Sequence, residues 1–237
     1  MRIFVLGASG MLGRVVAREL KNSIPLSRGM LLPEVEPTDV VVNCIGAIPQ
    51  KNPSLRDYIQ ANTIIPYSLS SLPCKVIHIS TDCVFDGSKG NYIETDPHTA
   101  TEAYGITKSM GEVPILCIIR TSIIGEGGGL LEWVRQSKGT IQGYSNHYWN
   151  GMTCTTLARY IQHIIETGQY WQGVRHVYSP SPVNKYELCC MIRDAYNVPV
   201  DIVLVEHSHP INRTLQSIYP CDFPIQTILE QIHNDLG

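Results

Sequence analysis

Ile3-Phe4-Val5-Leu6-Gly7-Ala8-Ser9-Gly10-Met11-Leu12-Gly13 stands at residues 3–13, and its reading decides the fold. A short apolar run closes at Gly7, and Leu12, Val15, Val16 and Leu20 then recur at helical spacing through Lys21. Strand, glycine turn and helix in that order suit a dinucleotide site. Glycine permits the tight turn, the close backbone approach to a pyrophosphate and the helix–sheet packing, and the free N–H groups of the helix start favour an anion. The spacing is Gly-x-x-Gly-x-x-Gly, one residue off Gly-x-Gly-x-x-Gly, so context carries more than spacing, with a plain tight turn as the alternative. Gly7, Ser9, Gly10, Met11 and Leu12 are the expected cofactor contacts. An NAD site wants an acidic residue about 20 positions on. Ser27 and Arg28 stand there instead. A hydroxyl and a guanidinium suit a 2′-phosphate, which favours NADPH over NADH, with Arg14 a further contributor. A solvated turn residue is the other reading of Arg28.

Outward from this stretch, Ile24–Leu26 is a weak strand, 39–44 a strong one, and 75–79 and 115–119 two more. Helices are expected over 54–72 (stepped at Pro66), 101–112, 130–136, 153–166, 186–197 and 224–236, with short strands at 174–178 and 202–205. Near-continuous apolar strands alternating with helices argue for a doubly wound parallel α/β sheet of Rossmann type. The connector 28–38 carries Pro33 and Pro37 and leaves no room for a covering helix. Residues 1–125 are expected to form the cofactor domain, and 126–237 to complete the sheet and build a small α/β substrate lobe.

Composition narrows the class. Of 237 residues, 43% are apolar and 16% charged, with a net charge of −3. Disorder is excluded, and bulk charge favours neither nucleic acid nor a membrane surface as partner. No apolar run is long enough to span a bilayer, and nothing at the start reads as a secretory signal. The eight cysteines lack Cys-x-x-Cys spacing, which suits reduced core thiols in a cytoplasmic protein and no metal site.

Tyr104-Gly105-Ile106-Thr107-Lys108 places a phenol and an ammonium one helical turn apart. A phenol titrating near 10 is a poor acid–base group at neutral pH, and a neighbouring ammonium lowers it. Ser80-Thr81-Asp82-Cys83-Val84-Phe85-Asp86-Gly87 sits at a strand end, where a parallel sheet presents its ligands.

The glycine turn, the strand-end hydroxyl and Tyr-x-x-x-Lys, in this order, resemble the extended short-chain dehydrogenase/reductases. Ser-Thr-Asp-x-Val-Phe-Asp-Gly at 80–87, Tyr-Gly-x-Thr-Lys with a following Gly-Glu at 104–112, and Arg120-Thr121 more closely resemble the dTDP-4-dehydrorhamnose reductase family. Residues 146–153 and Arg213-x-Leu215-x-Ser217 also look like that family's substrate-lobe segments. The resemblance spans essentially the whole chain. It implies hydride transfer from a nicotinamide to C4 of a nucleotide-linked 4-keto-6-deoxy sugar. Tyr104 would donate the proton, Thr81 would hydrogen-bond the same oxygen, and Lys108 would lower the phenol and hold the nicotinamide ribose. Cys44, Ile45, Gly46 and Ser80 would lie along the cofactor. Asp82, Val84, Phe85, Asn146, Trp149 and Arg213 would meet the substrate. Asn62 falls where many relatives place a structural asparagine.

Cys83 stands where nucleotide-sugar dehydratases carry the Glu of Thr-Asp-Glu, which argues against dehydration. GDP-fucose synthase-type relatives use a Cys in this loop with a His or Lys at the start of the helix after the fifth strand. Residues 127–133 hold neither; Lys138 and His147 come later. A bifunctional 3,5-epimerase/4-reductase using Cys83 is therefore the secondary reading, and packing or a pocket wall the primary one. The regulatory subunit of methionine adenosyltransferase resembles the same family, so a non-catalytic binding role is the other-class alternative. The missing helix thins the adenine side of the site. A partner subunit, as in a homodimer, would complete that wall.

Overall fold

The computed structural model describes residues 1–235; Leu236, the expected end of the last helix, lies outside them. Strands β1 (Ile3–Leu6), β2 (Ile24–Leu26), β3 (Val40–Asn43), β4 (Lys75–Thr81) and β5 (Cys117–Thr121) join the strand Gly173–His176 in one six-stranded sheet. Every pairing is parallel, in the order Gly173–His176, β5, β4, β3, β1, β2. The chain leaves β1 to one side for β2 and returns across it for β3. The strand order therefore reverses between the C-terminal ends of β1 and β3, where an open parallel sheet has its crevice.

Alternate residues of each strand cover opposite faces. Val5, Val42, Ile77, Ile79 and Ile119 pack under α1 (Met11–Glu19) and the helix Cys154–Thr167. Phe4, Leu6, Val41, Val76 and Ile118 pack on the other side with Leu69 of helix α3 (Ile65–Leu69). The connector after β2 has no helix, as its prolines require. Leu32 and Val35 cover that edge instead, and Arg2 clamps the connector's end through Asp39 at 2.5 Å.

The helix expected over 54–72 is interrupted. Helix α2 (Leu55–Ile59), opened by a Ser54–Asp57 capping box, passes into a wider π-turn at Gln60–Ile64 before α3. The step thus precedes Pro66, which comes two residues after the π-turn ends, in α3. Helix α4 runs Ala103–Met110. The strand expected at 115–119 begins two residues later, because Val113–Leu116 forms a turn with Pro114 as its second residue.

In the C-terminal half, Gly139–Tyr144 pairs in parallel with Val200–Val205, and His147–Trp149 lies between Val183–Asn184 and Ile211–Asn212. The helices Gly129–Gln136, Lys185–Ala195 and Ile228–Asp235 enclose a core around Leu131, Leu188, Ile192 and Ile232. No helix among the described residues is long and apolar enough to cross a membrane. All eight cysteines are free; Cys221 is exposed rather than in the core.

Candidate active site

The glycine turn is built by close approach. Gly7 has φ +74°, and a Cβ on Gly13 would lie 2.2 Å from Gly7 O, so α1 sits directly on the turn. Gly7 and Ala8 both donate their N–H to Leu26 O, at 2.9 and 3.2 Å. Ser27 and Arg28 consequently emerge beside the turn; Arg28 is exposed. On the other flank, Cys44 donates its N–H to Leu6 O at 3.1 Å and leads into Ile45 and Gly46. Ser9 is exposed, and Gly10 and Met11 are half-buried above the buried Leu12. The N-terminus of α1 has no side-chain cap, which leaves its first N–H groups for an anion. These residues form a cradle fitted to a dinucleotide pyrophosphate.

Helix α4 meets β4 through a second glycine. A Cβ on Gly105 would lie 2.1 Å from Cys83 O, so glycine alone lets α4 dock on the turn Asp82–Val84. Docking sets Tyr104 beside Thr81 and Cys83. Thr81 Oγ1 accepts from Cys83 N at 3.2 Å and donates to Asp82 Oδ1 at 3.1 Å. Tyr58 of α2, for which the sequence offered no motif, faces Tyr104 with ring centroids 6.3 Å apart. Burial and the Cys83 thiol push the Tyr104 phenol up, with the Thr81 hydroxyl opposing. Lys108 is buried and donates to Ile79 O at 2.5 Å; burial pushes it down to about 8, with Glu112 the largest opposing influence. In the unliganded site, then, burial outweighs the lowering of the phenol that Tyr-x-x-x-Lys spacing suggests.

Asn62 explains the π-turn. Its Oδ1 accepts from Ala47 N at 2.9 Å, and its Nδ2 donates to Ala47 O at 3.1 Å and Thr107 Oγ1 at 3.2 Å. Thr63 Oγ1 donates to Thr107 O at 2.8 Å. The wider turn presents both side chains together, tying the loop after β3 to the helix of Tyr104 and Lys108.

The remaining expected residues divide. Burial pushes the Asp82 carboxyl up, with Arg213 the largest opposing influence. Cys83 is pushed up to about 12 by burial and then by Asp82. Arg213 donates to Phe85 O at 3.0 Å, which holds it over this loop. Val84 and Phe85 do not line the site: both are 0% exposed, packed with Tyr92 and Leu215 beneath the loop. Asn146 exchanges hydrogen bonds with the His207 backbone, and Trp149 packs into the lobe core. Ser80, expected along the cofactor, gives its hydroxyl to Glu112 at 2.5 Å.

The chain matches the family model "RmlD substrate binding domain" over residues 67–221. It is 26% identical to methionine adenosyltransferase 2 subunit beta of Danio rerio, over 84% of this chain and 75% of that one. It is 32% identical to a dTDP-4-dehydrorhamnose reductase of Burkholderia thailandensis over 48% of this chain and 45% of the relative. Its fold matches the crystal structure of a dTDP-4-dehydrorhamnose reductase from Bacillus anthracis in complex with NADP, with a TM-score of 0.80 at 18% identity, covering 98% of this chain and 97% of the other.

Proposed function

The chain belongs to the RmlD substrate binding domain family, and from that premise we propose that it is an NADPH-dependent reductase of the 4-keto group of a nucleotide-linked 4-keto-6-deoxy sugar. The observation that carries this reading is the docking of α4, which gathers Thr81, Tyr104 and Lys108 at the sheet end that also bears the glycine turn. The NADP-bound structural relative supports the choice of cofactor. Gly7, Ser9, Gly10, Met11 and Leu12 would hold the pyrophosphate, Ser27 and Arg28 the 2′-phosphate, and Cys44, Ile45 and Gly46 the cofactor's length. Residues 1–125 would be the cofactor domain and 126–237 the region that completes the sheet and binds substrate.

When bound, the cofactor supplies a hydride to C4. Tyr104 gives its phenolic proton to the oxygen that becomes the alcohol, and Thr81 hydrogen-bonds that oxygen. A phenol held up by burial is protonated at neutral pH, the state a donor in the reducing direction needs. Lys108, charged below about 8, holds the cofactor ribose and offsets charge on the spent phenolate. Turnover is expected to fall as pH rises through that value. Asp82, Cys83 and Arg213 face the sugar side. Ile59, Ile106 and Met110, exposed on α2 and α4, favour a homodimer, which sedimentation checks.

The test is loss of NADPH absorbance with dTDP-, UDP- and GDP-linked 4-keto-6-deoxy sugars. A second reading, a non-catalytic partner subunit, is favoured by the methionine adenosyltransferase beta relatives aligned over 84% of the chain. Oxidation with any one sugar supports the enzyme. Inertness with all three overturns it, and a stable complex with the adenosyltransferase catalytic subunit then supports the second reading.

A further inference from the structure

Glu112 lies one helical turn beyond Lys108, past the end of α4. Gly111 makes its position possible, since a Cβ there would lie 1.9 Å from Asn62 O. The chain tucks Glu112 against the sheet, where its side chain is 4% exposed. Ser80 Oγ donates to Oε1 at 2.5 Å, Arg120 Nε to Oε1 at 2.9 Å and Arg120 Nη2 to Oε2 at 2.5 Å. Ser80 adjoins Thr81 in β4, and Arg120 is its cross-strand neighbour in β5. Arg120 is in turn held by His176 Nε2 at 2.8 Å, His98 Nε2 at 2.7 Å and the Phe85 ring at 5.1 Å. Burying such a pair is weak evidence for stability, because desolvation cancels most of the attraction. Its placement is the informative feature.

We propose that Glu112 is a positioning residue of this site: clamped by Ser80 and Arg120, its carboxylate fixes the end of α4 to β4 and β5 and sets one negative charge a helical turn beyond Lys108. The titratable groups facing Lys108 are Glu112, Cys44 at the end of β3 and His78 of β4, with Tyr104 one turn earlier. Burial holds the Cys44 thiol, the His78 ring and the Tyr104 phenol neutral. Among these only Glu112 brings charge, and it opposes the burial that drives Lys108 to lose its proton. Neutral His98 and His176 accept from Arg120, and among the described residues the carboxylate paired with the guanidinium is that of Glu112. The consequence for turnover rests on the reductase reading; the effect on Lys108 does not.

The experiment is a pH titration of Lys108 by NMR in the unliganded protein, with carbon-13 in the lysine side chains and the resonance assigned by its loss in Lys108→Arg. Glu112→Gln is expected to lower the Lys108 midpoint by about 1 pH unit and to move the alkaline limb of kcat down equally. Glu112→Asp, which keeps the charge, is expected to restore both. Should Glu112→Gln fail to fold around an unpaired Arg120, Glu112→Gln combined with Arg120→Met removes both charges and should move the midpoint in the same direction by a smaller amount, since no unpaired guanidinium is left. Arg120→Lys, which keeps a cation but loses the fork, should lower kcat several-fold without moving the limb. An unchanged Lys108 midpoint in the Glu112→Gln variants overturns the proposal. A wild-type protein inert toward every sugar sinks the reductase reading, while a moving midpoint in that same protein still supports Glu112.

Discussion

The two faces of the central sheet are drawn from alternate residues of the same strands, yet they differ in kind. Toward α1 and Cys154–Thr167 the strands present Val5, Val42, Ile77, Ile79, Cys117 and Ile119, a surface that stays apolar until Thr81 and Thr121 at the strand ends. Toward α3 and α4, Phe4, Val41, Val76 and Ile118 begin alike. Near the strand ends they give way to buried Asn43, His78, Ser80 and Arg120. These are cross-strand neighbours, Asn43 with His78, and Ser80 with Arg120 and then His176. Apolar burial is non-directional and follows area, so the first face holds the sheet together without dictating where anything sits to a fraction of an ångström. A buried polar seam must be matched donor to acceptor, which fixes position. The fold places stability on one face and the geometry of α4 on the other.

The largest expected effect tests that division from the apolar side. Ile161→Ala, fully buried among these residues, should cost about 2–5 kcal/mol in denaturant unfolding. Turnover per folded molecule and its pH profile should stay as they were; a parallel loss of turnover would mean the faces are not separable. From the other side, Tyr104→Phe should lower kcat by ~10², about 2.7 kcal/mol of barrier, with cofactor binding and the unfolding midpoint retained. Near-normal turnover in that variant removes Tyr104 from the chemistry.

Asn62→Ala sharpens the comparison, because it leaves the Ala47 amide and carbonyl unmatched. We expect a loss of about 1–3 kcal/mol together with a several-fold drop in kcat, whereas an apolar-face variant of equal cost should show no drop. Asn62 also marks the limit of what the chain discloses by itself. The apolar run, the glycine spacing and Tyr104-x-x-x-Lys108 are local patterns, legible because each fixes its geometry within a few residues. The π-turn at Gln60–Ile64 follows from partners at Ala47 and Thr107, so helical periodicity and Pro66 alone put the step in the wrong place. Gly139–Tyr144 is unreadable for the same reason, its partner strand lying at Val200–Val205. Val84 and Phe85 sit in a motif that reads as a pocket wall, but the tight turn at Asp82–Val84 rotates them into the core.

The smallest expected effect falls on Cys83, the residue that separates reductase from dehydratase in the sequence. A base that removes a proton from C3 or C5 must be a thiolate. With burial and Asp82 pushing the thiol up to about 12, it stays protonated at neutral pH. Arg213, the nearby cation, does not outweigh that burial. Residues 127–133 bring neither His nor Lys to complete an acid–base pair. Cys83→Ser should therefore change reductase turnover by less than about two-fold, as expected of a small side chain exchanged for one of similar volume. Neither protein should incorporate solvent deuterium at C3 or C5 of the product. Deuterium uptake by the wild type that disappears in Cys83→Ser would instead make this thiol a base in the chemistry.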